Sequence, residues 1–342
     1  MNLPDNVLSS HADIYIDNDQ LNLVITTDHE SRDQIESLDT CLKNLSKYSS
    51  LPFTVMFNRT DYKQNEGAIW LLDALRYLEI LEKAYLNNRV ANPRIALFRR
   101  LVNQTDLGLR VRNGKILSSD PITTAELLNK LAQDYRSAVH QPDFKKAYKK
   151  YKRTSVKNLK GAWNYLLHLQ SRYSRLLVLR VDLSWNDEHK SAITADMARA
   201  CRQKLLRNMK KNPLFRHVLG TVWKLEYAPS RQFHYHMLFV LNGHKAQQDV
   251  SLARAFGEYW KDTITEGKGH YYNCNAHKDR YTECGIGKLE RGNTSMEKGL
   301  LKAVSYLTKI DACARLVLPG NARTFGRGEI KVLKTRKKQR RS

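Results

Sequence analysis

The sequence predicts an α+β protein whose second half is built on a four-stranded antiparallel sheet with helices. Two observations support this class. From residue 175 onward, apolar runs with the density of buried strands alternate with amphipathic helical stretches, and the 42% apolar content of the 342 residues is ample for a core. We predict a mixed, largely helical N-terminal region over residues 1–165, the sheet-containing domain over 166–330 and a basic, flexible tail over 331–342.

The elements of the second region follow one another in a recognisable order. They are predicted as a strand at 176–183, a helix at 194–209, strands at 217–227 and 233–241, a helix at 247–261, a strand at 269–273 and a helix at 294–310. The order β-α-β-β-α-β-α is the ferredoxin-like arrangement, with helices on one face of the sheet, plus one extra helix. Thr194 and Thr294 are suited to cap the first and last helices, and Glu297 adds capping-box spacing to the second.

The first region contains no motif that carries chemistry, and its role stays open. Its predicted elements are an alternating stretch at 21–26, a helix at 31–47, a strand at 53–57, a helix at 68–85, a short strand at 95–98, turns at 113–114 and 120–121, and a long basic helix from about 123 to 150.

The net charge of +24 favours a polyanionic partner, so nucleic acid is the expected ligand. Two segments concentrate the charge, 144–160 and 331–341. In the first, tyrosines alternate with basic residues, which suits contact with phosphates and bases. The alternative is a solvated, solubilising face. The lysines that we assign to nucleic-acid contact there are Lys145, Lys146, Lys149 and Lys150.

No apolar run approaches the length of a membrane span, and the first residues lack the pattern of a signal peptide. We therefore expect a cytoplasmic protein with no membrane partner. The five cysteines are scattered and odd in number, which does not favour a disulfide framework.

Two histidines interrupt the apolar run 233–241. Side chains alternate along a strand, so His234 and His236 project from one face while Tyr235 and Met237 pack on the other. Two adjacent imidazoles can share a metal ion, and burying both with no partner would be costly. The alternative is a pair of half-exposed histidines at the edge of a sheet.

Two carboxylates could complete such a site. A hairpin closed by residues 228–232 places Glu226 opposite His234 on the same face, although a slip of one residue would move it to the other face. Asp182, on the first strand, is a second candidate ligand, and pairing with Arg180 is its alternative role. Two imidazoles with one carboxylate suit Mg²⁺ or Mn²⁺, and imidazole also suits Zn²⁺.

The last helix carries Tyr306, with Lys309 one turn later and therefore beside it. A phenol can attack a phosphodiester while a neighbouring ammonium offsets the developing negative charge. A single tyrosine at the edge of an apolar stripe is usually a packing residue. The catalytic interpretation therefore depends on the position of Tyr306 and Lys309 after the two histidines.

With these motifs the chain resembles the HUH endonucleases, which start rolling-circle replication. More specifically, the segments LRVDLSW (179–185), Glu226 with HYHMLF (234–239), AVSYLTK (303–309) and RTFGRG (323–328) are similar to inovirus-type replication proteins, the YagK/YfjJ-like family of phages and prophages. The resemblance covers roughly residues 170–330.

This resemblance implies a cytoplasmic rolling-circle initiator in a bacterial host. His234 and His236 would hold a divalent cation, and Tyr306 would attack the scissile phosphate to leave a 5′-phosphotyrosine and a free 3′-hydroxyl. Single-stranded or origin DNA is the implied partner, and Arg180, Arg323 and Arg327, in the matching segments, are assigned to DNA contact. Position 310 is Ile and position 302 is Lys, so a single-tyrosine enzyme is implied. There is no P-loop motif, so unwinding would need a host helicase, with a host polymerase for synthesis.

Three alternatives stay open. The same scaffold could serve a prophage DNA-binding regulator that does not cleave, or a metal-dependent phosphodiesterase that uses water. Finally, His270, Cys274, His277 and Cys284 have irregular spacing for a zinc site, and the same segment could be a DNA-contacting loop.

Overall fold

The computed structural model describes residues 27–57, 60–84, 86, 89–228, 230–309, 314–316, 318 and 323–329. The alternating stretch predicted at 21–26 and the basic tail at 331–342 lie outside these residues. The fold is mixed α+β and largely helical, and its sheets are antiparallel. Within the described chain, no helix combines the length and the apolar character needed to cross a membrane.

The first part of the chain is built mainly from helices. Its elements are α1 (Thr27–Lys47), β1 (Phe53–Val55), β2 (Tyr62–Gln64), α2 (Glu66–Ala84), β3 (Arg89–Ala91), α3 (Pro93–Asn103), α4 (Leu107–Arg110), β4 (Val111–Arg112), β5 (Lys115–Ile116), α5 (Pro121–His140) and α6 (Pro142–Arg172). Leucines and other apolar side chains of α1, α2, α3 and α5 form one buried cluster. The helices predicted at 31–47 and 68–85 are confirmed, and so is a strand beginning at Phe53.

The short strand predicted at Ile95–Phe98 is wrong, because these residues lie in α3. The Asn92 side chain accepts a hydrogen bond from the Ile95 amide and caps the helix, and Pro93 occupies its first turn. Ile95 and Phe98, three positions apart, then face the core together. A four-residue apolar run has too few residues to separate the two periodicities.

The long basic helix predicted to run to about residue 150 is two helices. Pro142 begins α6 after a single extended residue, Gln141. Proline lacks the amide proton that a continuing helix would need, so the chain starts a new helix there. The turn predicted at Asn113-Gly114 is confirmed: both residues have positive φ, 48° and 72°, and they join β4 to β5.

The second part contains the large sheet. Its elements are β6 (Arg175–Trp185), α7 (Ala195–Asn208), β7 (Val218–Ala228), β8 (Gln232–Asn242), α8 (Asp249–Glu258), β9 (Gly269–Asn273), β10 (Gly287–Glu290), α9 (Thr294–Lys309), β11 (Ala314–Leu316) and β12 (Phe325–Arg327). A π-helical segment, Tyr259–Ile264, continues α8, and a 3₁₀ segment, Cys274–Arg280, follows β9. The sheet order is β10-β6-β8-β7-β12, and β9 pairs with the end of β6 beside β10.

The sheet therefore has six strands where the sequence predicts four. The two additions, β10 and β12, have four and three residues, so they show little alternation. Thr194 caps α7 as predicted, with its hydroxyl accepting from the Met197 amide. At α9 the capping residue is Asn293, whose side chain accepts from the Met296 amide, and Thr294 is the first helical residue.

Helices cover both faces of the sheet: α7 and α8 share one face, as predicted, and α6 and the extra helix α9, which the prediction did not place, cover the other. On one face, α7 and α8 pack against the odd-numbered residues of β6 and β8, such as Val181 and Tyr235. On the other, α6 and α9 pack against Val178, Leu238 and Val240. The physical reason is in β6, where Leu176 to Leu179 are apolar at both odd and even positions, so both faces need cover.

The predicted domain boundary between residues 165 and 166 lies inside α6, which contacts both parts. Tyr151 of α6 donates a hydrogen bond to the Val90 carbonyl oxygen, and Leu166 and Leu169 pack in the core under the sheet. β11 also pairs with β3 of the first part. The division into an N-terminal region and a second domain stays a prediction.

Candidate active site

Three neighbouring strands bring polar side chains to the face of the sheet that α9 covers. The register pairs Glu226 with His234, as predicted, and pairs His236 with both Asp182 and Lys224. Directly paired residues of antiparallel strands face the same way, so all five side chains share one surface. Each of them is buried, which is unusual for five ionisable groups.

Glu226, His234 and His236 form a group that could hold a metal ion. Glu226 Oε2 lies 3.8 Å from His234 Nε2 and 3.6 Å from His236 Nε2. These separations are too long for hydrogen bonds and slightly wider than the ~3.0–3.4 Å between adjacent ligands of one small divalent ion. One ligand atom from each residue lies within 4.8 Å of the others, and no further cluster of this kind occurs among the described residues.

The outer nitrogens of the two imidazoles are held by other groups. His234 Nδ1 donates to the Gln232 carbonyl oxygen at 3.0 Å, and His236 Nδ1 donates to Asp182 Oδ1 at 2.8 Å. Both rings therefore direct Nε2 toward Glu226. A partner on the second nitrogen is how metal-binding histidines are usually oriented. Asp182, the second candidate ligand, thus lies on the far side of His236 from the group.

Burial and neighbouring charges shift the pKa values of the two histidines in opposite directions. Burial, with the charge of Arg231 nearby, lowers the pKa of His234 to about 3, so its Nε2 lone pair is available at neutral pH. Burial alone would also lower the pKa of His236, but the carboxylates of Asp182 and Glu226 outweigh it and raise that pKa. Metal binding at His236 therefore competes with a proton more strongly than metal binding at His234 does.

Arg180 explains how Asp182 stays ionised inside the protein. Its guanidinium Nε lies 3.3 Å from Asp182 Oδ1. Burial alone would raise the pKa of Asp182, but the charges of Arg180 and His236 hold it well below its usual range. The backbone of Arg180 is also held in place, because its amide donates a hydrogen bond to Asn275 Oδ1 at 2.8 Å.

Tyr306 lies directly above this group on α9. Its ring centroid is 5.9 Å from that of His236, edge to face, and 5.1 Å from the Arg180 guanidinium carbon. Val304 and Leu307 are buried and fix the helix against the sheet, which leaves Tyr306 partly exposed at its edge. Lys309 is the last residue of α9, and its side chain lies outside the described residues.

A comparison with protein families identifies the part of the chain that contains these residues. The model of the YagK/YfjJ C-terminal domain matches residues 139–328, which is more than half of the chain. The chain belongs to the YagK/YfjJ family. The matched YagK/YfjJ domain runs from the end of α5 through β12 and includes every residue of the site, and its family is prophage-associated. No curated protein and no solved structure gave a significant match to the chain.

The residues assigned to nucleic-acid contact have different surroundings in the YagK/YfjJ domain. Lys145, Lys146, Lys149 and Lys150 are all exposed on α6, and Arg323 and Arg327 are exposed near β12. Arg180, in contrast, is buried below Tyr306 and paired with Asp182. Arg180 can act on a ligand only from inside the site.

The segment considered for zinc does not form a cluster. His277 stacks on Tyr272, and Cys284 donates to the Ile286 carbonyl oxygen. His270 lies against Ser184 on β6. Tyr272, Cys274 and Cys284 instead belong to the apolar cluster that also contains α9.

Sequence reasoning missed Lys224 and Asn275. Lys224 is fully buried on β7, two residues before Glu226, and the period-2 argument that places Glu226 on this face places Lys224 there too. Asn275 connects β6 to the 3₁₀ segment through hydrogen bonds to Arg180 and to the Val178 carbonyl. No local pattern marks it.

Proposed function

We propose that this protein is a metal-dependent, single-tyrosine DNA endonuclease of the HUH type that nicks one strand of phage or prophage DNA to start rolling-circle replication. One observation carries the proposal. A buried Glu-His-His group and a tyrosine from a separate helix meet, with the rings of His236 and Tyr306 5.9 Å apart. The family resemblance of the sequence motifs points the same way.

The strand arrangement also supports the proposal. Within the large sheet, the four predicted strands have the order β9-β6-β8-β7, and every neighbouring pair is antiparallel. This is the order expected of a ferredoxin-like sheet built from a β-α-β-β-α-β chain. Helix α9 then adds Tyr306 from the opposite face to α7 and α8.

The residues present fit a divalent cation. His236 Nε2 is buried and has no hydrogen-bond partner within the described chain, at a place where two other ligand atoms face it. Two imidazoles with a carboxylate suit Mn²⁺ or Mg²⁺, and we assign Glu226, His234 and His236 as the residues that would hold it. When bound, the cation supplies a positive charge that polarises the scissile phosphate.

Tyr306 is the proposed nucleophile. Its phenolic oxygen attacks phosphorus, the bond between phosphorus and the 3′ oxygen breaks, and the proton lost by the phenol is balanced by one gained at the 3′ oxygen. The products are a 5′-phosphotyrosine and a free 3′-hydroxyl, and the reverse attack by a 3′-hydroxyl joins strands again. Arg180, beside the ring, provides fixed positive charge where negative charge develops. Lys309 is proposed to assist from the end of α9.

The substrate is proposed to be single-stranded or locally extruded origin DNA. The net charge of +24 and the exposed lysines of α6 support binding to a polyanion. Because the chain carries no P-loop motif, a host helicase and polymerase are the proposed partners for unwinding and synthesis.

The decisive variant is Tyr306→Phe, which removes one oxygen and keeps the packing of the ring. Full-length protein is incubated with end-labelled single-stranded DNA and Mn²⁺, and the products are separated on a denaturing gel. We expect the parent to form a covalent protein–DNA adduct that chelation prevents. We expect the variant to form none, while its DNA affinity stays within about twofold, since its surface charge is unchanged.

The matched control is Tyr173→Phe, at a half-buried tyrosine just after α6 that lies outside the site. It should form the adduct at the parent rate. An adduct of parental strength in Tyr306→Phe would rule out this nucleophile. Strand cleavage by the parent with no adduct would indicate attack by water, and tight binding with neither product would indicate a regulator that does not cleave.

A further inference from the structure

A cavity of about 250 Å³ opens beside Tyr306, between α9 and the loop at 280–286. Its walls include Arg280, Tyr281 and Ile286 from the loop and Ala303 and Tyr306 from α9. The lining thus combines apolar and aromatic side chains with cationic groups. Its volume is of the order of one nucleobase, and pockets of this composition are typical of sites for planar ligands.

Arg280 is the unusual member of this lining. Its Nη1 is buried and, among the described residues, has no hydrogen-bond partner. A buried donor without a partner is costly, and more so when the group is charged. A guanidinium donates and never accepts, so the missing partner has to be a hydrogen-bond acceptor. The structure therefore holds a donor in place before any ligand arrives.

Close backbone packing holds the part of the wall that contains Gly285 and Gly299. A Cβ atom at Gly285 would lie 2.1 Å from the backbone of Gly299, and one at Gly299 would lie 2.2 Å from the Cys284 carbonyl oxygen. Neither position has room for a side chain, so the loop rests directly on α9. This contact holds the loop that carries Tyr281 against the helix that carries Tyr306.

Charge at the cavity suits a phosphodiester next to the base. Lys302 lies one helical turn before Tyr306 and therefore on the same side of α9. Its Nζ is 2.6 Å from Glu283 Oε2, a pair that is partly exposed. With Arg180 and Arg280 also in the lining, cationic groups outnumber the single carboxylate.

We propose that this cavity binds the base of one unpaired nucleotide adjacent to the scissile phosphate. The inference rests on the proposed nickase function and specifies its substrate. Tyr281 and Tyr306 provide the aromatic sides for stacking, and Arg280 donates to an acceptor on the edge of the base. On its Watson–Crick edge thymine presents two carbonyl oxygens, whereas adenine presents one ring-nitrogen acceptor beside an amino donor, so thymine satisfies Arg280 better than adenine.

Homopolymeric strands test base binding in the cavity without knowledge of the origin sequence, because the same base enters the cavity wherever the strand binds. The probes are fluorescent oligo(dT), oligo(dA) and an abasic strand of the same length. Their affinities for the full chain are measured by anisotropy in EDTA, so that no strand is cut. The parent should bind oligo(dT) about tenfold more tightly than the abasic strand, as one well-stacked base provides.

Two variants address different parts of the cavity. Ala303→Leu fills it without changing charge, and should lower oligo(dT) affinity about tenfold while leaving affinity for the abasic strand unchanged. Arg280→Met keeps the volume and removes the donors, and should bring the affinities for oligo(dT) and oligo(dA) closer together. Arg254→Met, at an exposed arginine of α8 on the far side of the sheet, is the matched control and should keep the parental ratios.

Thermal unfolding of each variant verifies that the fold is retained. Parental affinity ratios in both cavity variants would overturn the proposal, and so would an equal loss of affinity for the abasic strand. Because binding is measured without metal, the result is independent of the nickase test. If the protein selects between bases but forms no adduct, only the nickase proposal is rejected. If it forms the adduct but both cavity variants keep the parental affinity ratios, only the proposal for the cavity is rejected.

Discussion

At the scale of single residues, His236 lies at the centre of the site. One ring nitrogen donates to Asp182, the other faces Glu226 and His234, and the ring edge meets Tyr306. A buried polar residue with several partners is costly to alter, because each lost partner leaves another group unsatisfied. The tautomer set by Asp182 is what directs a lone pair toward the other two candidate ligands.

Metal binding should therefore stabilise the fold through Glu226, His234 and His236. We expect Mn²⁺ to raise the melting temperature of the parent. When free metal is a hundredfold above its dissociation constant, the free energy of unfolding should increase by about 2.7 kcal/mol. Glu226→Gln keeps the shape of the side chain and removes its charge, and should lose most of that increase. Differential scanning fluorimetry with and without Mn²⁺ measures it for each protein.

His140→Ala is the matched control, since His140 is exposed at the end of α5. It should retain the full increase. The same increase in Glu226→Gln as in the parent would show that the metal binds elsewhere.

At the scale of elements, the position of α9 decides whether Tyr306 can reach the site. Buried Leu300, Val304 and Leu307 attach the helix to the sheet, and Gly299 brings it against the loop at 280–286. A glycine within a helix normally costs about 1 kcal/mol relative to alanine. Here the close backbone contact explains why glycine occupies the position.

Gly299→Ala should consequently destabilise the protein, whereas helix propensity alone predicts that alanine would stabilise it. Forcing a Cβ into a filled contact costs about 1–3 kcal/mol, which exceeds the gain in propensity. Urea unfolding followed by circular dichroism measures the change. Lys298→Ala, at the neighbouring exposed position, should be neutral within about 0.5 kcal/mol, and a stabilised Gly299→Ala would contradict the packing argument.

At the scale of the whole molecule, charge is unevenly distributed. Residues 1–60 carry four Lys/Arg and nine Asp/Glu, a net −5, so the rest of the chain carries +29. Helix α6 displays Lys145, Lys146, Lys149 and Lys150 on its exposed surface. These lysines form an exposed basic surface on the first half of α6, which suits the polyanionic ligand of the proposed function.

Replacing these four lysines with Gln should weaken single-stranded DNA binding mainly at low salt. If each lysine contacts a phosphate, the slope of log K against log salt becomes shallower by about 3, at roughly 0.7 per contact. Anisotropy titrations over a range of salt concentrations measure the slope. The control replaces four exposed lysines on the side of α7 and α8, namely Lys210, Lys211, Lys261 and Lys268.

In the control protein the slope should stay close to the parental one. An equal change in both proteins would mean that net charge, and not the α6 surface, governs binding.

Much of this arrangement follows from local sequence pattern. Alternation along β8 is enough to place His234 and His236 on one face, and the short connection between β7 and β8 is enough to set Glu226 opposite His234, because both depend on residues close in the chain. The order of the strands and helices of the second region follows from the same periodicities. Short segments are predicted less well, because they have too few residues to show a periodicity. Ile95–Phe98 lies in a helix, and the sequence does not predict β10 or β12.

Tertiary structure alone decided which surfaces meet. No pattern in α9 tells which face of the sheet it covers, and only its packing sets Tyr306 against His236, seventy positions earlier in the sequence. The pairing of Arg180 with Asp182, the second covered face of the sheet and the cavity at Arg280 arise in the same way. Periodicity determines which side of an element is buried, whereas the partner of that side is chosen by the packing of the complete chain.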